Sequence, residues 1–294
     1  MSETIVKQGL GWLPDYPDFR DYSVEQKSIK TMLTPTGVVK ASAPALTLTT
    51  DLRPWFSPIE DQQSLGSCTA NAGVGMVEYF ERKAFGKHID ASRLFLYKVT
   101  RNMLHWTGDT GAFLRSTMGA MVLFGVPPEE YWPYVIADYE KEPTPFCYAY
   151  AQNYQTINYY RLDPIGVAKA ALLTQIKTNL GAGLPSMFGF TVYSSYTQAK
   201  TTGTGKIPYP TPGEKIVGGH AIVAVGYDDN MKIKNLNAGA IETKGALLIR
   251  NSWGTGWGAA GYGWLPYDYV LKGLAVDWWS LVKQEWVDTK EFML

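Results

Sequence analysis

An α+β fold is predicted by two textures that follow one another along the 294 residues. Stretches with apolar residues at helical spacing dominate the first part, and short apolar runs bounded by Gly, Pro and Asn dominate the second. The cut between them falls near residues 181–185, Gly-Ala-Gly-Leu-Pro, a run that ends a helix and precedes a strand.

Residues 1–30 carry Gly9-Leu10-Gly11-Trp12-Leu13-Pro14-Asp15-Tyr16-Pro17-Asp18-Phe19, in which proline fixes its own φ and biases the residue before it, so an extended strip is expected. Residues 31–50 are rich in Thr, Ala, Ser and Pro and read as a linker. From Thr69 to Phe85 the apolar positions Ala70, Val74, Val77 and Phe80 fit one helix face, with Gly86 as its stop. Further helices are expected over Leu114–Phe124, ending at Gly125, and over Val167–Leu180. Strands are expected at Ser186–Val192, Ala221–Tyr227, Ala246–Asn251 and Gly261–Pro266, with Asp229-Asn230 a turn after the second of these.

Composition narrows the function classes. At 46% hydrophobic and 18% charged the chain has material for a sizeable core. Lys plus Arg equals Asp plus Glu, at 27 each, so there is no electrostatic footprint for nucleic acid or an anionic membrane, and neither partner is expected. The start, Met1 to Gln8, lacks the apolar region of a signal peptide, and no run of about 18 apolar residues occurs, so a cytoplasmic rather than a secreted chain is expected. Two cysteines make no disulfide framework, and no Cys or His spacing points to a metal site or cofactor.

Three islands carry chemistry: Gln62 to Cys68 with Thr69 after it, Gly218-Gly219-His220-Ala221, and Arg250-Asn251-Ser252-Trp253-Gly254. They supply a thiol, an imidazole and a carboxamide. A thiol is nucleophilic as thiolate, which calls for a base beside it and preorganised donors for the oxyanion that forms next. A helix beginning at Cys68 would put the thiol at the positive end of a dipole and favour the thiolate. Taken singly, Cys68 reads as a buried structural thiol and His220 as a core histidine. Asp228 and Asp229 compete with Asn251 as partners of His220. His88 reads as a surface residue, His105 as a residue that could line a cleft, and Cys147 as a free, partly buried thiol.

On these residues the chain resembles the papain-like cysteine peptidases over residues 51–265. Gln62 stands six positions before Cys68, Gly66-Ser67-Cys68 matches the segment at the nucleophile, and Asn251-Ser252-Trp253-Gly254 with Trp257-Gly258 and Gly261-Tyr262 matches the family's third motif. His220 follows Cys68 by 152 residues, in the family's order. Asp51-Leu52-Arg53 resembles the start of mature domains, which makes residues 1–50 a candidate extension and 51–294 the peptidase domain. Leu65 replaces a usual Cys, Gln63 a usual Gly and Thr69 a usual aromatic, and the His220 to Asn251 interval of 31 holds an insert-like stretch, 230–245. These departures point to a divergent microbial or viral branch.

The resemblance implies a helical lobe (about 51–165) and a β-barrel-like lobe (about 166–294) with a cleft between them. It implies Cys68 as nucleophile, His220 as base, Asn251 as its orienter, Gln62 as oxyanion donor and Trp253 as a shield over the Asn–His hydrogen bond. Gly66, Ser67, Asp109, Gly111, Gly218 and Gly219 are the candidate substrate-binding residues. The 108–111 stretch resembles a strip that holds substrate backbone, and equally an ordinary turn. Gly218 and Gly219 leave room for a bulky apolar or aromatic side chain. An endopeptidase acting on peptide or protein is expected, with a ligase or a silent peptide-binding protein as alternatives. Residues 1–48 are either a cleft-blocking pro-segment, carrying Trp12, Leu13, Tyr16, Phe19 and Tyr22, or a permanent surface arm.

Overall fold

In a computed structural model, residues 8–39, 45–155 and 158–294 are described. Met1–Lys7 and residues 40–44 of the expected linker lie outside them. Helices precede a sheet, as the sequence predicts. Among the described residues seven strands, β1 (Thr49–Asp51), β2 (Asn158–Arg161), β3 (Ser186–Tyr193), β4 (Ile216–Lys234), β5 (Glu242–Arg250), β6 (Tyr262–Pro266) and β7 (Ala275–Val282), pair antiparallel in the order β2-β7-β3-β4-β5-β6, with β1 on β4.

The sheet is open, not closed into a barrel. Both of its edges are covered by irregular chain, which removes the need for closure. Arg161 on β2 donates its N–H to Tyr22 O at 2.7 Å, and Trp264 on β6 exchanges backbone bonds with Gly205 and Ile207 at 2.8 and 2.9 Å.

Helix Cys68–Phe85 packs across β4 and ends at Gly86, whose φ of 72° needs a left-handed residue. Helices Leu114–Phe124 and Lys169–Gly181 lie where the periodicity puts them. Arg93–Met103 is a helix that the pattern does not reveal, because Arg93, Lys98 and Arg101 are buried among its apolar positions. Ser92 caps it by accepting the Phe95 N–H at 3.1 Å. β7 is buried almost throughout and so shows no alternation.

Two expectations are corrected. A helix, Lys27–Leu33, spans the end of the expected extended strip and the start of the expected linker; its Ile29, Met32 and Leu33 are buried in the core, and Val38 follows them inward. Asp229-Asn230 does not end its strand: β4 continues to Lys234 through an irregularity between Asp228 and Lys232, and 230–245 forms the outer half of the β4–β5 hairpin. Asx-type bonding explains both readings, since Asp228 Oδ1 accepts the Asn230 N–H at 2.7 Å within the bulge.

Candidate active site

Cys68 opens the Cys68–Phe85 helix, while His220 lies on β4 and Asn251 directly after β5, strands that run side by side. All three are buried. Nε2 of His220 is 2.8 Å from Asn251 Oδ1, which also accepts the Ser252 N–H at 2.8 Å. An oxygen acceptor on that side requires the proton on Nε2 and leaves Nδ1 as the free lone pair, and Nδ1 is buried without a hydrogen-bond partner. The backbone N–H groups of Ala221, one residue beyond His220, and of Gly11, Thr69 and Cys68 lie near the sulfur and favour its thiolate. Trp253 stacks on the imidazole at 4.4 Å between centroids and 16° between planes.

Gln62 is fixed through its oxygen. Oε1 accepts from Ser252 Oγ at 2.5 Å, so Nε2 is turned the other way, donating to Leu65 O at 2.9 Å and Gly9 O at 3.1 Å. Tyr134 braces the same loop by donating to Gln62 O at 3.0 Å and contacting Ser67 Oγ at 2.6 Å. Neither Ser252 nor Tyr134 stands out in the sequence reading, although Ser252 lies inside the most specific motif.

Gly9 belongs to an extended strap, residues 8–22, that lies across these groups. Gly9 N–H bonds Gln63 O at 2.9 Å, Trp12 N–H bonds Gly219 O at 3.3 Å, Ala112 N–H bonds Gly11 O at 2.8 Å and Leu13 N–H bonds Ala112 O at 3.1 Å. The residue that pairs with the strap's extended backbone is Ala112, just beyond the 108–111 stretch, while Gly111 gives its N–H to Tyr97 OH at 3.0 Å. The approach is so close that a Cβ on Gly11 would lie 1.9 Å from Gly66 O. Leu10 packs on Gly218 and Trp12 on Gly219. Asp109 acts as a brace: its carboxylate accepts from the Gly66 N–H at 2.9 Å and from Tyr97 OH at 2.6 Å.

Beyond Trp12 the strap is clamped by charge. Arg115 bonds Asp21 at 2.7 and 2.8 Å, Tyr16 O at 2.8 Å, and Asp15. Arg161 reaches Asp15 O at 3.0 Å, Asp163 at 2.9 Å, Asp277 at 3.3 Å and Asp21 at 3.4 Å. Burial pushes the Asp277 carboxyl up to about 7, against the pull of Arg161 and the hydrogen bonds from Trp12 and Trp279.

Burial also governs the thiol and imidazole. It pushes the Cys68 thiol up to about 11, outweighing the backbone N–H groups around the sulfur, and it pushes His220 down to about 4 against the Asn251 hydrogen bond. In this state both are neutral, so the helix terminus does not by itself deliver the thiolate that the sequence suggests.

The remaining candidates lie apart. Asp229 pairs with Lys177 at 2.7 Å and with Tyr267 OH at 2.7 Å, and not with His220. Cys147 is buried beside Thr144 Oγ1 and Tyr131 O. His105 is exposed, with φ of 56°, and lines a shallow 370 Å³ cavity next to Leu13; His88 is half-buried.

Residues 47–271 match the family model described as papain family cysteine protease. An uncharacterized peptidase C1-like protein of Acanthamoeba polyphaga mimivirus is 30% identical over 292 residues, covering 96% of this chain and 89% of the viral protein. Cathepsin K of Gallus gallus is 27% identical over 71% of this chain, which spans 54% of that relative's length. Xylellain, a cysteine protease from Xylella fastidiosa, superposes with a TM-score of 0.75 at 32% identity, covering 94% of this chain and 97% of that one. Bromelain from Ananas comosus in complex with the E64 inhibitor shares the fold, with a TM-score of 0.56 at 16% identity over 81% of this chain and all of that one (100%). With helices, sheet and motif residues arranged as described, the chain belongs to the papain family of cysteine proteases and is a cysteine peptidase.

Proposed function

We propose that the chain is a cysteine endopeptidase held inactive by its own strap, with Cys68 as nucleophile, His220 as base and acid, Asn251 as orienter and Gln62 with the Cys68 N–H as oxyanion donors. The carrying observation is the convergence of an uncharged, buried Cys68, a His220 whose free Nδ1 is set by Asn251, and a Gln62 amide aimed at a backbone carbonyl, that of Gly9.

In the open enzyme water reaches the pair, the burial that keeps thiol and imidazole neutral is relieved, and the proton moves from sulfur to Nδ1. The thiolate attacks a peptide carbonyl, whose oxygen takes the place at Gln62 Nε2 that Gly9 O occupies in the closed chain. His220 gives its proton to the leaving amine, and the thioester is hydrolysed by water that His220 deprotonates. Trp253 keeps water from the His220–Asn251 bond. The strap's backbone pairing on both sides of the cleft favours a cleft-blocking segment over a surface arm.

The test is covalent labelling by an E64-type epoxide, read by intact mass. The full chain should label slowly. Trp12→Ala in the full chain, which removes the strap's largest buried side chain, should label at least tenfold faster, with one adduct on Cys68 and none on Cys147. Equal rates in the two chains would rule out the block, and labelling of Cys147 alone would rule out the mechanism.

A further inference from the structure

Trp12 is held by more than shape. Its ring lies in a slot walled by two glycines, where a Cβ on Gly189 would come within 1.8 Å of the indole and one on Gly219 within 2.7 Å. At the floor, Trp12 Nε1–H donates to Asp277 Oδ2 at 3.1 Å. Asp277 is fully buried and has φ of 61°, a left-handed conformation that Asp and Asn tolerate better than most side chains.

The two carboxylate oxygens of Asp277 have different owners. Oδ1 accepts from Trp279 Nε1 at 2.7 Å and faces Arg161 Nη1 at 3.3 Å, both on strands of the sheet. Oδ2 has the strap indole. When the strap leaves, Oδ1 stays satisfied and Oδ2 is left facing an empty, glycine-walled slot without its donor. A buried acceptor in that position penalises any occupant that cannot donate.

We propose that Asp277 is the specificity-determining residue of the cleft, and that the slot vacated by Trp12 selects substrate side chains that are bulky, aromatic and carry an N–H, tryptophan above all. The proposal rests on the peptidase reading. A neutral donor fits better than a cation. The Arg161 guanidinium already faces Asp277 at 3.3 Å and Asp163 at 2.9 Å, so a second guanidinium entering the slot would meet a cation at its floor.

The test uses the full chain carrying Trp12→Ala, which empties the slot, at pH 8 and with fluorogenic succinyl-Ala-X-Ala coumarylamides. X is Trp, 3-benzothienylalanine (the same bicycle with sulfur in place of N–H), Phe or Arg. The Trp substrate should exceed the benzothienyl one by about 10- to 100-fold in kcat/KM, and should exceed Arg. Equal rates for Trp and its isostere, or Arg fastest, would overturn the proposal.

Adding Asp277→Asn sharpens the reading. Trp279 and Arg161 claim the amide oxygen, so the Asn NH₂ faces the slot, and the Trp advantage should fall to about one. Asn also tolerates the positive φ, so the fold is kept. An unchanged ratio in that variant, verified as folded by its melting curve, would also overturn it.

Fluorescence anisotropy of the same peptides on the Cys68→Ala, Trp12→Ala chain separates the two readings. Trp-selective binding by a chain whose Cys68 form hydrolyses nothing would sink the peptidase and leave the pocket. Hydrolysis without selectivity would sink the pocket and leave the peptidase.

Discussion

At one end of the strap, Cys68, His220, Gln62 and Asn251 are buried in a state with no formal charge. At the other, Arg115 and Arg161 are held among Asp15, Asp21, Asp163 and Asp277. The first cluster avoids the cost of buried charge by neutrality and the second by pairing. Neutrality is reversible, because uncovering the thiol and imidazole restores the conditions for an ion pair. Pairing is not, because a buried guanidinium left alone has nowhere to put its charge. The first cluster is therefore suited to chemistry and the second to holding.

The largest way to break this contrast is Arg161→Met. It strands the carboxylates of Asp163 and Asp277 inside the sheet, and a urea melt should show a loss of about 3–5 kcal/mol. A loss below about 1 kcal/mol would mean that the cluster is solvated and the contrast false. On the catalytic side, Gln62→Ala in the Trp12→Ala background should lower kcat by about 10² to 10³ with KM changed less, and should leave the melt near that of its parent. If stability falls and kcat does not, Gln62 is a brace like Asp109.

The smallest effect is a pH dependence. The strap adds to the burial that lifts the Cys68 thiol from its ordinary value near 9 to about 11. The contribution of that group to docking is complete below about 9 and is lost as pH rises through 9 towards 11. Alkylation of Cys68 by iodoacetamide in the closed chain should therefore climb steeply above pH 9. The Trp12→Ala chain should already react at neutral pH, about tenfold faster at pH 7.5. Parallel profiles in the two chains would show that the strap does not control the thiol.

Much of the site was legible because its chemistry is tied to short motifs. Gln62, Cys68, His220 and Asn251 were singled out together, and the structure brings His220 and Asn251 to 2.8 Å and turns Gln62 towards the strap that covers Cys68. The fold was legible where amphipathic period or clean stops existed, as at Gly86 and Gly125. It was illegible where burial erased the pattern, as in β7 and the Arg93–Met103 helix, and where a charge was neutralised by a partner far along the chain. Asp277 is the clearest case. Its role depends on Trp12, 265 residues away, and no local spacing encodes that bond. The linker reading failed for a related reason: the Lys27–Leu33 helix is short and weakly patterned, and it is held by what it packs against.

That same helix bounds how much of the N-terminal segment could leave the body. Ile29, Met32, Leu33 and Val38 belong to the core, so residues 27–39 cannot be discarded with the strap without opening a cavity the size of several side chains. A cut near residue 48 would release the plug at the expense of the body. A scission that spares the body must fall between Pro14 and Gln26, and there the chain offers Tyr16 and Phe19, 87% and 88% exposed, as a loop standing in solvent. On the cleft-blocking reading, the border of the released chain falls 21 to 33 residues before residue 47, where the family match begins.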